Sequence, residues 1–220
     1  AWRAAVALGA ECWAADHDGD GVMRLVYSRG RESGGPPTAY VTVGVLADRV
    51  AGARRDGRAA ITLDRGLPVE AGEMPWLVAG AKTLSYAVNM AALRHAERQG
   101  AGDVIFVSSD GYLLAGPRST VVIAITDADG EPLLLTPPPG YPILRGTTQQ
   151  ALFEVARNKG LDCDYRALRP TDLLTAQGVW LVSSVTLAAR VHTLDGQRLP
   201  AATTGADITG LVDAAILSDR

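Results

Sequence analysis

Trp76-Leu77-Val78-Ala79-Gly80-Ala81-Lys82-Thr83-Leu84-Ser85-Tyr86 separates two unlike halves of the chain. Ahead of it, Pro68, Gly72 and Pro75 punctuate a stretch, 64–80, that sustains no hydrophobic period. Behind it, 85–99 reads as a helix, with Val88, Ala92 and Ala96 on one side, Arg94, Glu97 and Arg98 elsewhere, and Gly100 and Gly102 to stop it. The sequence therefore predicts a small α+β domain over 1–75, a linker over 76–81 and a larger domain over 82–220. Lys82 falls at the junction, just after three small residues that permit close backbone approach. A lone lysine there is ordinarily solvent-facing. An amine desolvated in a cleft between domains would instead lose proton affinity and could attack a carbonyl carbon.

Working outward, Trp2, Ala5, Val6 and Trp13 recur at helical spacing over 1–14, with Gly9 on the same face. The helix starts at once from Ala1, so the sequence reads as a piece of a longer polypeptide whose first domain is incomplete. Residues 22–28, 38–46 and 59–63 read as strands, and short connections favour an antiparallel set with the helix against it. In the second half, 104–108, 121–126, 132–135, 178–182 and 188–193 read as strands, the second and third joined as a hairpin through the turn 127–130. Helices are expected over 148–159 and around Ile208, Leu211, Val212, Ala215 and Ile216. Two domains of mixed α and β structure follow.

Composition narrows the function. The chain of 220 residues has a net charge of −3, which gives no basic surplus to track phosphate backbones, so nucleic acid is not the expected partner. No apolar run reaches the roughly 18 to 20 residues of a membrane span, so no membrane partner is expected and a cytoplasmic location is. Cys12 and Cys163 form no CxxC pair and are expected as buried free thiols. His17 lies among Asp16, Asp18 and Asp20 without the downstream Glu of a calcium loop, and no metal is expected. HExxH, GxSxG and GxxxxGK[ST] are all missing from the sequence, which removes support for hydrolase triads and nucleotide P-loops.

Two donor-rich segments could partner Lys82. Leu144-Arg145-Gly146-Thr147-Thr148 opens a helix, where backbone N–H groups and two hydroxyls either cap the helix or receive a phosphate. Ser183-Ser184-Val185-Thr186 follows an apolar strand and either closes it as a polar turn or grips the same anion from a second side.

The order of these segments resembles the fold-type IV pyridoxal-phosphate enzymes, the class-IV aminotransferase family that also contains 4-amino-4-deoxychorismate lyase. The resemblance runs from about Val22 to Asp213 and is most specific in 81–86, 110–120, 136–137 with 143–148, and 181–185 followed by 194–196. It implies a two-domain, D-amino-acid aminotransferase-like fold and pyridoxal 5'-phosphate carried covalently on Lys82. It also implies a phosphate site at Thr147, Thr148, Ser184 and Val185, and Arg24 or Arg29 on the substrate side. Ala115 stands where the family places a glutamate against the cofactor's pyridine nitrogen, Thr120 replaces an asparagine, and Gln149 replaces an arginine. The implied function is release of pyruvate and 4-aminobenzoate from aminodeoxychorismate, a step of folate biosynthesis. The alternatives are a class-IV amino-acid aminotransferase, or a scaffold whose catalysis is impaired by Ala115. A small amino substrate and a homodimer complete the expectation.

Overall fold

The computed structural model of the chain describes residues 1–202 and 206–217, which divide into two units at Ala51/Gly52. In the first unit, α1 (Trp2–Asp16) lies against the antiparallel pair β1 (Gly21–Ser28) and β2 (Thr38–Val45). Ala5, Val6, Gly9 and Trp13 are the half-buried positions of α1, as their spacing predicts, but Trp2, expected on the same face, is exposed at the helix start. Gly9 sits at a close approach, because a Cβ there would lie 3.2 Å from Val43 Cγ2 and 3.3 Å from Met23 Cε. Trp13 ends the helix: its ring stacks on His17 at 4.0 Å and its Nε1 donates to the Gly19 carbonyl at 2.9 Å. His17 is thus a packing residue, and among the described residues no cluster of His, Cys, Asp and Glu could hold a metal.

Helix α2 (Asp48–Asp56) crosses the division at Ala51/Gly52 and leads into β3 (Arg58–Asp64). The sequence grouped β3 with the antiparallel strands of the first half. It instead pairs in parallel with β4 (Asp103–Val107) and β9 (Leu187–Leu194), inside the sheet of the second unit. This is why the division falls ahead of β3 and not at the 76–81 segment. That sheet runs β4-β3-β9-β8-β5-β6-β7, with β10 (Gln197–Arg198) paired to β9. Its other members are β5 (Thr120–Thr126), β6 (Pro132–Thr136), β7 (Asp162–Tyr165) and β8 (Gly178–Ser183). The expected hairpin is present as the antiparallel pair β5 and β6.

Alternation along β5 divides the core. Val121 and Ile123 join Ile105, Leu135, Leu173 and Leu181 on one face. Val122 and Ala124 join Leu152, Phe153 and Ala156 of α4 (Thr147–Asn158) and Leu211 and Val212 of α6 (Ile208–Leu217) on the other. A third cluster packs Ala92 and Ala96 of α3 (Ala87–Arg98) on Ile61, Val104 and Phe106. The short α5 (Pro170–Thr175) completes the set. At the β9–β10 turn, Asp195 takes a left-handed φ of 48° and its carboxylate accepts the Thr62 N–H at 2.7 Å and hydroxyl at 2.8 Å.

The cysteines are both free, but only Cys163 is half-buried; Cys12 is exposed, on the solvent side of α1. Burial pushes the Cys163 thiol up to about 11. Because the thiolate is the reactive form, iodoacetamide at pH 8 is expected to label Cys12 first and to reach Cys163 only as the pH approaches that value. Equal labelling of both sites at pH 8, read by peptide mass, would show that Cys163 is not shielded.

Candidate functional site

A cavity of about 670 Å³ opens in the second unit, walled by residues from 77–89, 114–120, 142–148 and 182–184, with Arg65 and Phe106. Its volume lies within the roughly 300 to 1,000 Å³ of small-ligand sites. Four basic side chains, Arg65, Lys82, Arg118 and Arg145, line it, and among the described lining residues there is no Asp or Glu. In a chain of net charge −3, such a wall selects for anions.

Lys82 sits in the irregular segment ahead of α3, where Val78 is left-handed at φ 53° and the Ala81 N–H donates to the Val78 carbonyl at 3.0 Å. The lysine is exposed, so the burial expected to desolvate its amine is not provided. Its position is fixed instead by a bond: Nζ donates to the Tyr86 hydroxyl at 2.9 Å and lies 5.4 Å from that ring's centroid. Asn89, one turn into α3, donates from Nδ2 to the Pro117 carbonyl at 2.8 Å and ties the 115–119 loop to the helix.

That loop is held from below by β4, because the Phe106 N–H donates to the Ala115 carbonyl at 3.0 Å and the Leu114 N–H to the Phe106 carbonyl at 2.8 Å. The Gly116 N–H then donates to the Ser119 carbonyl at 2.9 Å, and a Cβ on Gly116 would press on Ser119 Oγ and lie 3.0 Å from the Val104 carbonyl. The half-buried Ala115 methyl thus stands in the wall where a longer acidic side chain would otherwise put charge.

Opposite lies the start of α4. The N-cap is Gly146, and no side chain caps the helix, so neither Thr147 nor Thr148 acts as the ordinary cap that was the alternative reading. The first backbone bond of the helix runs from the Gln150 N–H to the Gly146 carbonyl at 3.1 Å. The N–H groups of Thr147, Thr148 and Gln149 precede the ladder, and they carry the positive end of the helix dipole. Gly146 is needed because a Cβ there would press against Thr120 Oγ1, the first side chain of β5.

The turn after β8 contributes Ser183 and Ser184 to the wall. Ser183 Oγ accepts the Thr186 N–H at 3.1 Å and so closes the turn, leaving the exposed Ser184 on the cavity side. Val185 does not line the cavity; its carbonyl accepts Arg54 Nη2 at 2.7 Å.

The cavity therefore gathers Lys82, Ala115, Thr147, Thr148 and Ser184, while Val185 stands just behind Ser184. Arg24 and Arg29 are exposed residues of the first unit, Arg24 opposite Thr42 in the β1–β2 pair. Tyr86 and Arg54 carry structural duties that the sequence reading did not assign. For Tyr86 the i, i+4 interval from Lys82 was the available hint; for Arg54 there was none, since its partner is 131 residues away.

The sequence profile of the amino-transferase class IV family matches residues 3–194. The chain belongs to the class IV aminotransferase family. A Mycobacterium tuberculosis relative, a bifunctional aminodeoxychorismate lyase / D-amino acid transaminase, is 69% identical across 100% of this chain and 77% of its own length. Among solved structures, the PLP-bound form of a hypothetical aminotransferase from Mycobacterium tuberculosis is similar at a TM-score of 0.95 and 69% identity, with 100% of this chain and 76% of that one covered. A form of that aminotransferase bound to α-ketoglutarate and PMP matches at a TM-score of 0.94 and 68% identity, over the same shares of the two chains. A fold IV-transaminase from Curtobacterium pusillum matches at 0.85 and 42% identity, covering 99% of this chain and 71% of that one. The mixed α/β architecture is accordingly that of the fold-type IV enzymes. Among the described residues of this class IV chain, no helix is long and apolar enough to cross a membrane.

Gly146→Ala is expected to destabilise the fold by about 1–3 kcal/mol, the usual cost of overpacking. Thr120→Ala in the same chain should recover most of that loss. If chemical denaturation finds the two effects additive, Gly146 and Thr120 do not share the space described.

Proposed function

We propose that this chain is a pyridoxal 5'-phosphate-dependent enzyme that releases pyruvate and 4-aminobenzoate from 4-amino-4-deoxychorismate, and that the same cavity also transfers amino groups from D-amino acids. The observation that carries the reading is the pairing, on one acid-free wall, of a fixed primary amine with an uncapped helix N-terminus. The second activity is favoured by the 69% identical relative, whose name joins both reactions.

The residues fit the cofactor. Lys82 offers the amine for its aldehyde. Thr147, Thr148 and Ser184 offer hydroxyls and backbone donors for its phosphate, and Val185, whose carbonyl is held by Arg54, fixes the turn that carries Ser184. Arg24 or Arg29 would take a substrate carboxylate. When bound, pyridoxal phosphate supplies a conjugated ring able to accept the electron pair left at the substrate's α carbon. Lys82, once free as a neutral amine, takes the α proton on Nζ, and the Tyr86 hydroxyl holds that nitrogen in place. Both reactions need this proton removal and differ in what leaves afterwards, so one set of wall residues serves both. Ala115 supplies no carboxylate to keep the ring nitrogen protonated, which leaves the positive wall as the surroundings that favour accepting charge.

A homodimer accompanies this reading. Met74, Trp76, Leu77, Val78, Leu84 and Val88 expose large apolar side chains beside the cavity, the kind of patch that a second copy covers. Sedimentation at micromolar concentration is expected to report a dimer, and a monomer alone would contradict it. A cytoplasmic setting agrees with the two unpaired cysteines.

Borohydride treatment of cofactor-loaded protein, followed by peptide mass mapping, is expected to place a pyridoxyl adduct on Lys82. An adduct on a different lysine, or none, would refute the assignment.

A further inference from the structure

The cavity wall divides by task. Its amine is Lys82, on 77–89, and its anion donors are Thr147, Thr148 and Ser184, on 142–148 and 182–184. In pyridoxal 5'-phosphate the ring nitrogen is para to the aldehyde carbon, and the phosphate arm is attached next to that carbon. With the aldehyde at Lys82 and the phosphate at the start of α4, the nitrogen is directed across the ring toward the wall left over, 114–120 with Arg65 and Phe106.

Ala115 fills the middle of that wall. Its methyl group packs on the cluster of Ile61, Val104 and Phe106, its carbonyl accepts the Phe106 N–H at 3.0 Å, and Asn89 holds the following turn through the Pro117 carbonyl at 2.8 Å. The ionisable side chains of this wall are Arg65 and Arg118, and from the other walls Lys82, Tyr86 and Arg145 face the same space. Four of these five are cationic. A nearby like charge disfavours a protonated pyridine, and a methyl group supplies nothing to offset it.

The two reactions differ in where the electron pair goes once Lys82 Nζ has taken the proton. In the lyase reaction the C–H bond of the amino-bearing carbon breaks, and its pair becomes the last C=C bond of the aromatic ring. The neighbouring C–O bond breaks with its pair on the enolpyruvate oxygen, and a proton added to the methylene carbon of that enolate gives pyruvate. The charge therefore leaves with a product. In amino transfer nothing departs at that stage, so the pair has to be held on the cofactor until the former aldehyde carbon takes a proton and water then releases the keto acid. A ring nitrogen without a proton holds that pair less well. Resting on the functional reading above, we propose that Ala115 is a specificity-determining residue, which leaves the ring nitrogen unprotonated and so favours pyruvate release over amino transfer.

The test loads the protein with pyridoxal 5'-phosphate carrying nitrogen-15 in the ring and reads that nucleus by magnetic resonance at neutral pH. Wild type should resonate as unprotonated pyridine and Ala115→Glu as pyridinium, while Ala115→Gln, of equal size without the charge, should match wild type. In Ala115→Glu, kcat for amino transfer from D-alanine should rise about 10- to 100-fold relative to kcat for pyruvate release, the range for gaining one charge-assisted bond, and Ala115→Gln should leave that ratio unchanged. Should thermal melting show that Ala115→Glu does not fold, wild type loaded with the ring-N-methylated cofactor, whose charge is permanent, replaces it with the same change in ratio expected. A protonated nitrogen in wild type overturns the proposal whatever the variants do. An unprotonated nitrogen together with an equal gain in both reactions also overturns it, because both then lean equally on the ring. If wild type takes up no cofactor, or carries it on a residue other than Lys82, the functional reading itself falls and this assignment falls with it.

Discussion

The uncapped start of α4 is the constraint around which the site is organised. A helix end that leaves its first N–H groups without acceptors pays a desolvation cost wherever water is excluded, unless an anion or a cap meets them. Here the cap position is a glycine pressed against Thr120, and the flanking hydroxyls point no bond back at the helix. The neighbouring wall is consistent with that vacancy of charge: it carries Lys82, Arg65, Arg118 and Arg145, without a carboxylate among the described lining residues. An acidic group in this wall would compete for the same donors, so the alanine at 115 and the open helix end belong to one electrostatic arrangement.

The sheet makes that arrangement rigid. β4 supports the 115–119 loop through the Phe106 and Leu114 bonds, β5 delivers Thr120 to Gly146, and β8 ends at the Ser183 turn. Each of these segments is therefore braced by a buried strand. Leu152, Phe153 and Ala156 clamp α4 onto the same sheet, which fixes the direction of its dipole. The one irregular contributor, the segment bearing Lys82, is tied down by its own side chains, through Tyr86 and through Asn89 to Pro117.

Much of this was legible in the sequence because strong periods and small-residue breaks survive without tertiary context. The runs that became β5, β8 and α4 announced themselves, and so did Lys82, Thr147, Thr148 and Ser184 as a set of amine and donor turns. Four elements did not, the two-residue β10 among them. α2 has few apolar residues among its charges, and β7, Asp162-Cys163-Asp164-Tyr165, owes its strand to parallel pairing with β6. α5 is six residues long and depends on Pro170 and on the Asp172 carboxylate accepting the Arg169 N–H at 2.7 Å. β3 was read as a strand but assigned to the wrong neighbours, because parallel partners far along the chain leave no local trace. For the same reason Arg54 escaped notice, and the lysine's environment was expected to be drier than it is.

A crystal structure of the protein grown with pyridoxal 5'-phosphate tests the central claim most directly. The account predicts continuous density from Lys82 Nζ to the cofactor, with phosphate oxygens within hydrogen-bonding distance of the Thr147 and Thr148 N–H groups. Phosphate density away from α4, or a cofactor joined to the protein at a residue other than Lys82, would contradict it.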